Sequence, residues 1–563
     1  MINFKEDFAN CLSKTIDKDK LEILKFIEIP PDHSLGNLSF PCFSLAKDLK
    51  KAPLVIAKEL VSKLQSDVFD FSEVSGYINA KIKPDILYKE TILEVLEKKE
   101  NYGKTILEKK EQFVIDTFNA NPFKTLHIGH LRMIVGGNAI DRLLSFTGNQ
   151  PHSVYYGGDV GTHVAKWYWY YTKHLSLEEQ KIPKKDVAKW FGLIYLRAGQ
   201  KAKDEENSKF EIDEIQKQIL EDASLQEKIK KLRDESFNAY MQVKDELEIN
   251  LEDKIFESET EKKFLDIKDK LFLENKELFK ESQDAVIVDL KQHNLDVVVL
   301  IKQNGAPLYA AKDIGLVKIK QEKFPQTNNF LYVVGSEQDF YFRQLFKIFS
   351  VIYPNTNHKH LSLGMVNLTS GKMASREGEM VLYEDFRDLL KKRVEDILVE
   401  NNLEIDDDIV SIIVNGTIKF EMLKINFNKT FVFDINSALD LQGDSSVYVQ
   451  YTGVRAKSIL RKIETLPKEL PKTVELCDEE KKLLDLIYQF SDKVNFAAKE
   501  FKPNLVASYC LDLAHAFNKF YVNCPVISKE QDLQDQRVLL IKVYLQCLTN
   551  ALWLLGIKIP EKM

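Results

Sequence analysis

The chain has 563 residues, enough for roughly three to five domains of ordinary size. Its 44% hydrophobic and 29% charged residues suit a soluble globular protein and exclude disordered, collagen-like and low-complexity classes. A formal net charge of -7 leaves nucleic-acid binding neither supported nor excluded, so any RNA surface must be a local patch. Only 11 of the 79 basic residues are Arg, which makes an Arg embedded in a motif stand out. The six cysteines (Cys11, Cys42, Cys477, Cys510, Cys524, Cys547) form no CxxC pair, and none falls between Cys42 and Cys477. The middle of the chain therefore holds neither a disulfide nor a thiolate zinc site, and no metal ligands are expected elsewhere.

The first ten residues, MINFKEDFAN, lack the basic and apolar regions of a secretory signal. Residues 43–64 read as two helices broken near Pro53 and residues 75–82 as a strand, the profile of a small α+β module over 1–105. A charged stretch, 96–112, separates it from a strand FVIDTF, a turn NANPFKT and a helix-spaced run that ends at Gly148; HSVYYGG follows as a second strand. Strand and helix in alternation predict a multidomain α/β chain with a Rossmann-type parallel sheet, its ligands at the carboxyl ends of the strands. Residues from about 175 to 285 predict a Lys/Glu-rich helical insertion, after which AVIVDL, VVVLIK and FLYVVG (285–335) return to the sheet. Helical spacing then runs to the end, giving domains at 1–105, 106–395 and 396–563, the last all-α. The apolar stretch Val538 to Ile557 carries Lys542, Gln546, Thr549 and Asn550, which predicts a buried helix rather than a membrane span. The expectation is a cytoplasmic protein with no membrane partner.

The sharpest chemical signal is His127-Ile128-Gly129-His130, set after a strand and turn where a helix begins. Two imidazoles three apart share a face there, beside free backbone N–H groups that can hold the phosphates of a nucleotide, and Gly129 leaves room for a flat base. The second is the glycine-flanked loop Gly371-Lys372-Met373-Ala374-Ser375-Arg376-Glu377-Gly378, whose Lys can bring a point charge onto a leaving pyrophosphate.

Together these motifs resemble the HIGH and KMSKS signatures of class I aminoacyl-tRNA synthetases, and nearly the whole chain resembles the arginyl-tRNA synthetase family. The run Asn121 to Arg132 is similar to that family's extended first signature, and Gly158-Asp159-Val160-Gly161-Thr162 to its GDWGT segment, with Val160 in place of Trp. Ser446 to Tyr451 with Arg455 resembles its PYLQYxxxR block. Ala514 to Tyr521 and the ending Leu555-Gly556-Ile557 with Met563 resemble its helical anticodon-binding domain. Gly36 to Phe40 and Gly76 to Asn79 resemble its N-terminal tRNA-contacting module. Ser375 and Arg376 depart from KMSKS, and Lys124, just ahead of the histidines, stands where the family compensates; His163 stands where Gln is usual.

The resemblance implies ATP-dependent ligation of L-arginine to tRNA(Arg) through an arginyl-adenylate, with Mg²⁺ accompanying ATP and tRNA needed for activation. His127, His130, Lys124 and Lys372 would carry the chemistry, with Gly129, Met365 and Val366 joining them around ATP. A guanidinium needs carboxylates and further acceptors; by resemblance these are Asp116, Asn121, Tyr309, Asp313 and Gln338. Tyr309 and Asp313 are four apart and would share a helix face. Phe40, Tyr448, Tyr509 and Met563 would meet tRNA, with Phe520 and Tyr521 as further platforms for bases, while Phe517 and Trp553 are assigned to the core. A monomer is expected. Rival readings are a lysine-specific class I synthetase, a small nucleotidyltransferase and a non-catalytic synthetase-like tRNA binder.

Overall fold

The computed structural model describes residues 3–16, 18–30, 35–107, 109–368 and 381–563. It divides into two compact units that cut across chain order: Met1–Tyr102 with Arg455–Phe490 and Asp512–Asn550, and Gly103–Val454 with Ser491–Leu511 and Ala551–Met563.

In the first unit, strands β1 (Leu38–Pro41), β2 (Phe69–Val74) and β3 (Tyr77–Ile82) form an antiparallel sheet in the order β1-β3-β2. Pro53 opens a helix, Pro53–Val61, at a position where the missing N–H leaves no helical bond unmade. The two segments that carry the N-terminal resemblance are the paired strands themselves: Phe40 faces Ile78, and Ser39 Oγ donates to Asn79 Oδ1 at 2.8 Å in the interior. Phe40 is 1% exposed. Its ring packs in the interior of this module. Helix Pro84–Lys98 is held by Tyr88, whose hydroxyl donates to the Gln536 carbonyl at 2.9 Å.

The second unit is built on five parallel strands in the order β11-β10-β4-β5-β6. These are β4 (Gln112–Phe118), β5 (Gln150–Gly157), β6 (Asp253–Phe256), β10 (Asn329–Gly335) and β11 (Asn357–Leu363). Central β4 is buried from its second residue onward, as a strand covered on both faces must be. Two expectations about this region are corrected. The insertion is not wholly helical: after helices Val187–Asp204, Ser208–Glu221 and Ala223–Glu246 the chain adds β6 to the sheet edge, a four-residue strand too short to show a period. The runs at 285–301 do not rejoin the sheet. They form β8 (Ala285–Asp289) and β9 (Val297–Ile301), which pair antiparallel with each other and with β7 (Phe279–Ser282). Residues 290–296 are too few for a parallel crossover, which takes about a dozen or more. The C-terminal region is helical apart from β13 (Phe431–Phe433), which pairs parallel with β12 (Val366–Leu368). Helix Gln531–Leu554 is long and apolar enough to cross a membrane by length and composition, yet 67% of its apolar window is buried in the protein, as expected for a core helix.

Helix Ile128–Phe146 follows β4 and lies directly on it. A Cβ on Gly137 would sit 2.6 Å from Thr117 Cγ2 and 2.9 Å from Thr117 Cα, so only glycine permits this approach. Asp141 accepts from Ser153 Oγ of β5 at 2.7 Å and ties the same helix to the next strand. Gly137→Ala is expected to destabilise the fold by about 1–3 kcal/mol through overpacking, read as a lower Tm; an unchanged Tm would contradict this packing.

Candidate active site

His127 is the N-cap of helix Ile128–Phe146. Its Nδ1 accepts the Gly129 N–H at 3.2 Å, while His130 Nδ1 accepts the His127 N–H at 3.3 Å. The rings lie 3.8 Å apart between centroids. Each Nδ1 is an acceptor, so the proton of each neutral ring resides on Nε2. Burial pushes His127 down to about 4; burial, then His127 and Lys124, hold His130 well below its ordinary value. Both rings are therefore neutral N–H donors at a helix N-terminus whose own N–H groups are unsatisfied, a place suited to phosphate oxygens. A Cβ on Gly129 would meet the His127 imidazole at 3.0 Å, so this glycine makes room for the capping ring itself.

Arg132, one turn along, is fully buried. Its Nη1 donates to the carbonyls of Gly364 and Lys429, each at 2.7 Å, its Nη2 to that of Asn426 at 3.0 Å, and its guanidinium lies 4.9 Å from the Phe431 ring centroid. The guanidinium binds the approach to Val366 and β12 to the helix that carries the histidines. Met365 is exposed, its N–H donating to Thr430 Oγ1 at 3.2 Å. The Ile128 N–H donates to Val381 at 3.1 Å and the Tyr383 N–H to Leu126 at 3.0 Å, so residues 381–383 are also pinned beside the histidines. Lys372 and its loop lie outside the described residues.

Lys124 is half-buried in the turn before the helix, which is fixed by Tyr240, whose hydroxyl meets the carbonyls of Asn121 and Lys124 at 2.8 and 2.7 Å. Burial and then the charge of Lys166 lower its pKa, with Glu257 opposing. Asn121 Oδ1 accepts the Gly158 N–H at 2.8 Å, and His163 Nε2 donates to the Gly158 carbonyl at 2.9 Å. His163 is likewise pushed down to about 4, by burial and then Lys124. Asp159 is structural: it accepts from Arg233 Nη1 at 2.9 Å and from the Ser258 N–H and hydroxyl at 2.9 and 2.8 Å.

The five residues expected around arginine divide sharply. Asp116 lies two residues before the end of β4 and is buried, its carboxylate 2.5 Å from the Lys320 ammonium. Burial raises the pKa of this carboxylate against the pull of Lys320. Asp313 is the carboxylate that fits. It is half-buried in helix Tyr309–Lys323 and accepts a hydrogen bond from the Tyr341 hydroxyl. Burial raises it to about 7, with the carboxylates of Asp116 and Glu257 adding to the rise against Tyr341 and Lys320. Tyr309 is 73% exposed at the first residue of that helix, and Gln338 is exposed at the N-cap of helix Asp339–Ile352, so both side chains are open to a ligand. Glu257 is engaged by Lys312 at 2.6 Å. Lys320, Lys312 and Tyr341 escaped the sequence reading, although Asp313 and Lys320 are seven apart and a helical wheel puts them on one face.

Tyr448 and Tyr509, expected to meet tRNA, are both buried. Phe517 is core, stacked on Tyr544 at 4.0 Å, and Phe520 is buried too. Trp553 is not core: it is 45% exposed, with Arg142 4.9 Å from its ring centroid. Tyr521 is the exposed ring of its group, with Arg455 4.5 Å from its centroid. Met563 lines an apolar cavity of about 240 Å³ with Leu403, Leu441 and Tyr451. Among the described residues one group has metal-ligand reach, Cys477, Glu479 and Cys524, in the first unit. Burial raises both of its thiols.

A parallel sheet with a histidine-capped helix after its central strand, and a helical insertion in the same unit, defines a class I aminoacyl-tRNA synthetase catalytic core. Three domain families match the chain: "Arginyl tRNA synthetase N terminal domain" over residues 3–82, "tRNA synthetases class I (R), catalytic domain" over 91–435 and "DALR anticodon binding domain" over 449–563. Proteins named arginine--tRNA ligase from Clostridioides difficile and Halothermothrix orenii are 30% and 31% identical, each aligned over 100% of both chains. The solved arginyl-tRNA synthetase of Thermus thermophilus shares the fold at a TM-score of 0.80 with 23% identity, over 99% of this chain and 100% of that one. That of Plasmodium falciparum does so at 0.76 with 21% identity, over 100% and 98%. The chain belongs to the arginyl-tRNA synthetase family.

If the histidines act as neutral donors, His127→Asn, which keeps an N–H, should retain at least about tenfold more turnover than His127→Ala, by the value of one hydrogen bond to a charged group; equal loss in both would contradict the donor role. The Asp313 carboxyl gives a pH prediction. Its proton must leave before a guanidinium binds, so KM for arginine should rise about tenfold per pH unit below 7 and level off above it, and Asp313→Asn should raise KM and flatten the profile. A wild-type KM constant from pH 5.5 to 8 would refute this assignment. For folding, the raised pKa means the native state holds more protons than the unfolded chain between the two values. This group's contribution to stability therefore falls as pH rises toward 7.

Proposed function

We propose that the chain ligates L-arginine to its cognate tRNA, using ATP and releasing AMP and pyrophosphate. The observation that carries this reading is the pair of neutral imidazole donors capping the helix after β4, in a unit where Asp313, a candidate carboxylate without an ion pair among the described residues, suits a guanidinium. The arginine carboxylate attacks the α-phosphorus of ATP in line, and pyrophosphate leaves. His127, His130 and the helix N-terminus stabilise the charge that develops on the phosphate oxygens, with Lys124 adding a cation and Lys372 assigned the same task. No protein nucleophile is needed. A ribose hydroxyl of the tRNA's terminal adenosine, the 2'-hydroxyl in this class, then attacks the carbonyl carbon of the adenylate and AMP departs.

Tyr309 and Gln338 contact the amino acid, and Asn121 serves its α-amino or carboxylate end. Mg²⁺ accompanying ATP would neutralise charge on the phosphates, a task it performs with few protein ligands. We read residues 1–105, 106–395 and 396–563 as the tRNA-contacting, catalytic and anticodon-binding domains, the last reading the anticodon with Met563 and its cavity. The enzyme works as a cytoplasmic monomer.

The test is amino-acid-dependent exchange of pyrophosphate into ATP, run for arginine and for lysine, each with and without total tRNA. Exchange with arginine alone, and only when tRNA is present, is the expected result; no exchange from folded protein under any condition would refute the reading.

A further inference from the structure

We propose that Lys166 joins Lys124 in a two-lysine clamp around Tyr195 that holds the β- and γ-phosphates of ATP. The proposal rests on the synthetase reading above and adds a residue to which that reading gives no part. Lys166 lies on helix Thr162–Lys173, Tyr195 on helix Val187–Asp204 and Lys124 in the turn before the histidines. The Lys166 ammonium is 4.6 Å from the Tyr195 ring centroid, and the Lys124 ammonium 5.5 Å from the same centroid. A Cβ built on Gly199 would stand 3.7 Å from Lys166 Nζ, which places this ammonium over the helix face that Tyr195 and Gly199 share four residues apart.

Both lysines are half-buried, and neither forms an ion pair among the described residues. Glu257, the one carboxylate felt by Lys124, is already bound to Lys312, whereas Lys166 feels chiefly burial and the like charge of Lys203. Two ammonium groups sharing a ring and partly withdrawn from water repel each other, and the ring's negative face offsets only part of that. An anion bearing several charges offsets this repulsion more fully than a monovalent one. The clamp is directed at the histidine site, since the charge of Lys124 reaches both His130 and His163 and that of Lys166 reaches His163. A triphosphate whose α-phosphate rests on the histidine donors would thus have both cations within electrostatic reach of its tail.

The expected result for Lys166→Gln, in exchange at saturating arginine and tRNA, is a rise of about ten- to a hundredfold in KM for ATP and for pyrophosphate, the loss of one charge-assisted contact. Lys166→Arg should stay within about threefold of the unsubstituted protein, and Lys203→Gln, at an exposed neighbour, should change neither constant. A rise in KM for tRNA with KM for ATP unchanged would assign Lys166 to an RNA phosphate and overturn the proposal, as would a fall in kcat alone. The unsubstituted protein gives a second reading that no folding defect can confuse. ATP or inorganic tripolyphosphate should protect Lys124 and Lys166 from acetylation, scored by peptide mass spectrometry, while Lys203 reacts freely; an unprotected Lys166 refutes the clamp. Failure of the unsubstituted protein to exchange with arginine would instead overturn the synthetase reading, and leaves the protection result to be judged separately.

Discussion

The guanidinium of Arg132 is the interaction on which the rest of the site depends. It is buried and donates to carbonyls of Gly364, Asn426 and Lys429, which belong to two stretches of chain far apart in sequence. A buried cation is costly unless its donors find acceptors, and here the two terminal nitrogens do so while Nε does not. A lysine could not replace it, since a single ammonium lacks the planar fork that reaches three carbonyls. With Gly137 fixing how closely the helix sits on β4, the histidine end of that helix has little freedom left. Gly364 shares in this constraint, because a Cβ there would strike the Lys429 carbonyl carbon at 2.4 Å.

The electrostatics of the site follow from that rigidity. Imidazoles locked by backbone N–H groups and withdrawn from water do not protonate near neutrality, so they present N–H dipoles rather than charge. On the amino-acid side the logic reverses. Asp313 is kept on the edge of ionisation by its burial and by neighbouring carboxylates, the setting in which a bound cation would shift it most. Asp116 and Lys320 form a closed pair that adds its own field to that balance.

Much of this was legible in the sequence. The parallel sheet, the histidine helix and the helical C-terminal region all followed from period and order, because long amphipathic or continuously apolar runs report their own burial. What escaped depended on partners distant in sequence. Nothing local marks Asp116 as paired, because its partner Lys320 lies on a helix two hundred residues on. Phe40, Tyr448 and Tyr509 show why an aromatic inside a family signature is ambiguous: the same ring can be kept for contact with RNA or for packing, and here all three are buried. β6 and the hairpin-linked β8 and β9 failed for a different reason, since four or five residues carry no period to distinguish a sheet edge from a separate sheet. Arg132 was visible as a rare Arg inside a motif, but its task required the three carbonyls to be seen.

The central claim is that His127 and His130 are neutral Nε2–H donors held in place by the backbone. It is tested most directly by following the imidazole ¹⁵N shifts of both residues, assigned by single substitution, between pH 5 and pH 8. The account predicts unprotonated Nδ1 and protonated Nε2 in both rings across the whole range, with no titration. Protonation of either ring near pH 6.5, or a proton on Nδ1, would contradict it.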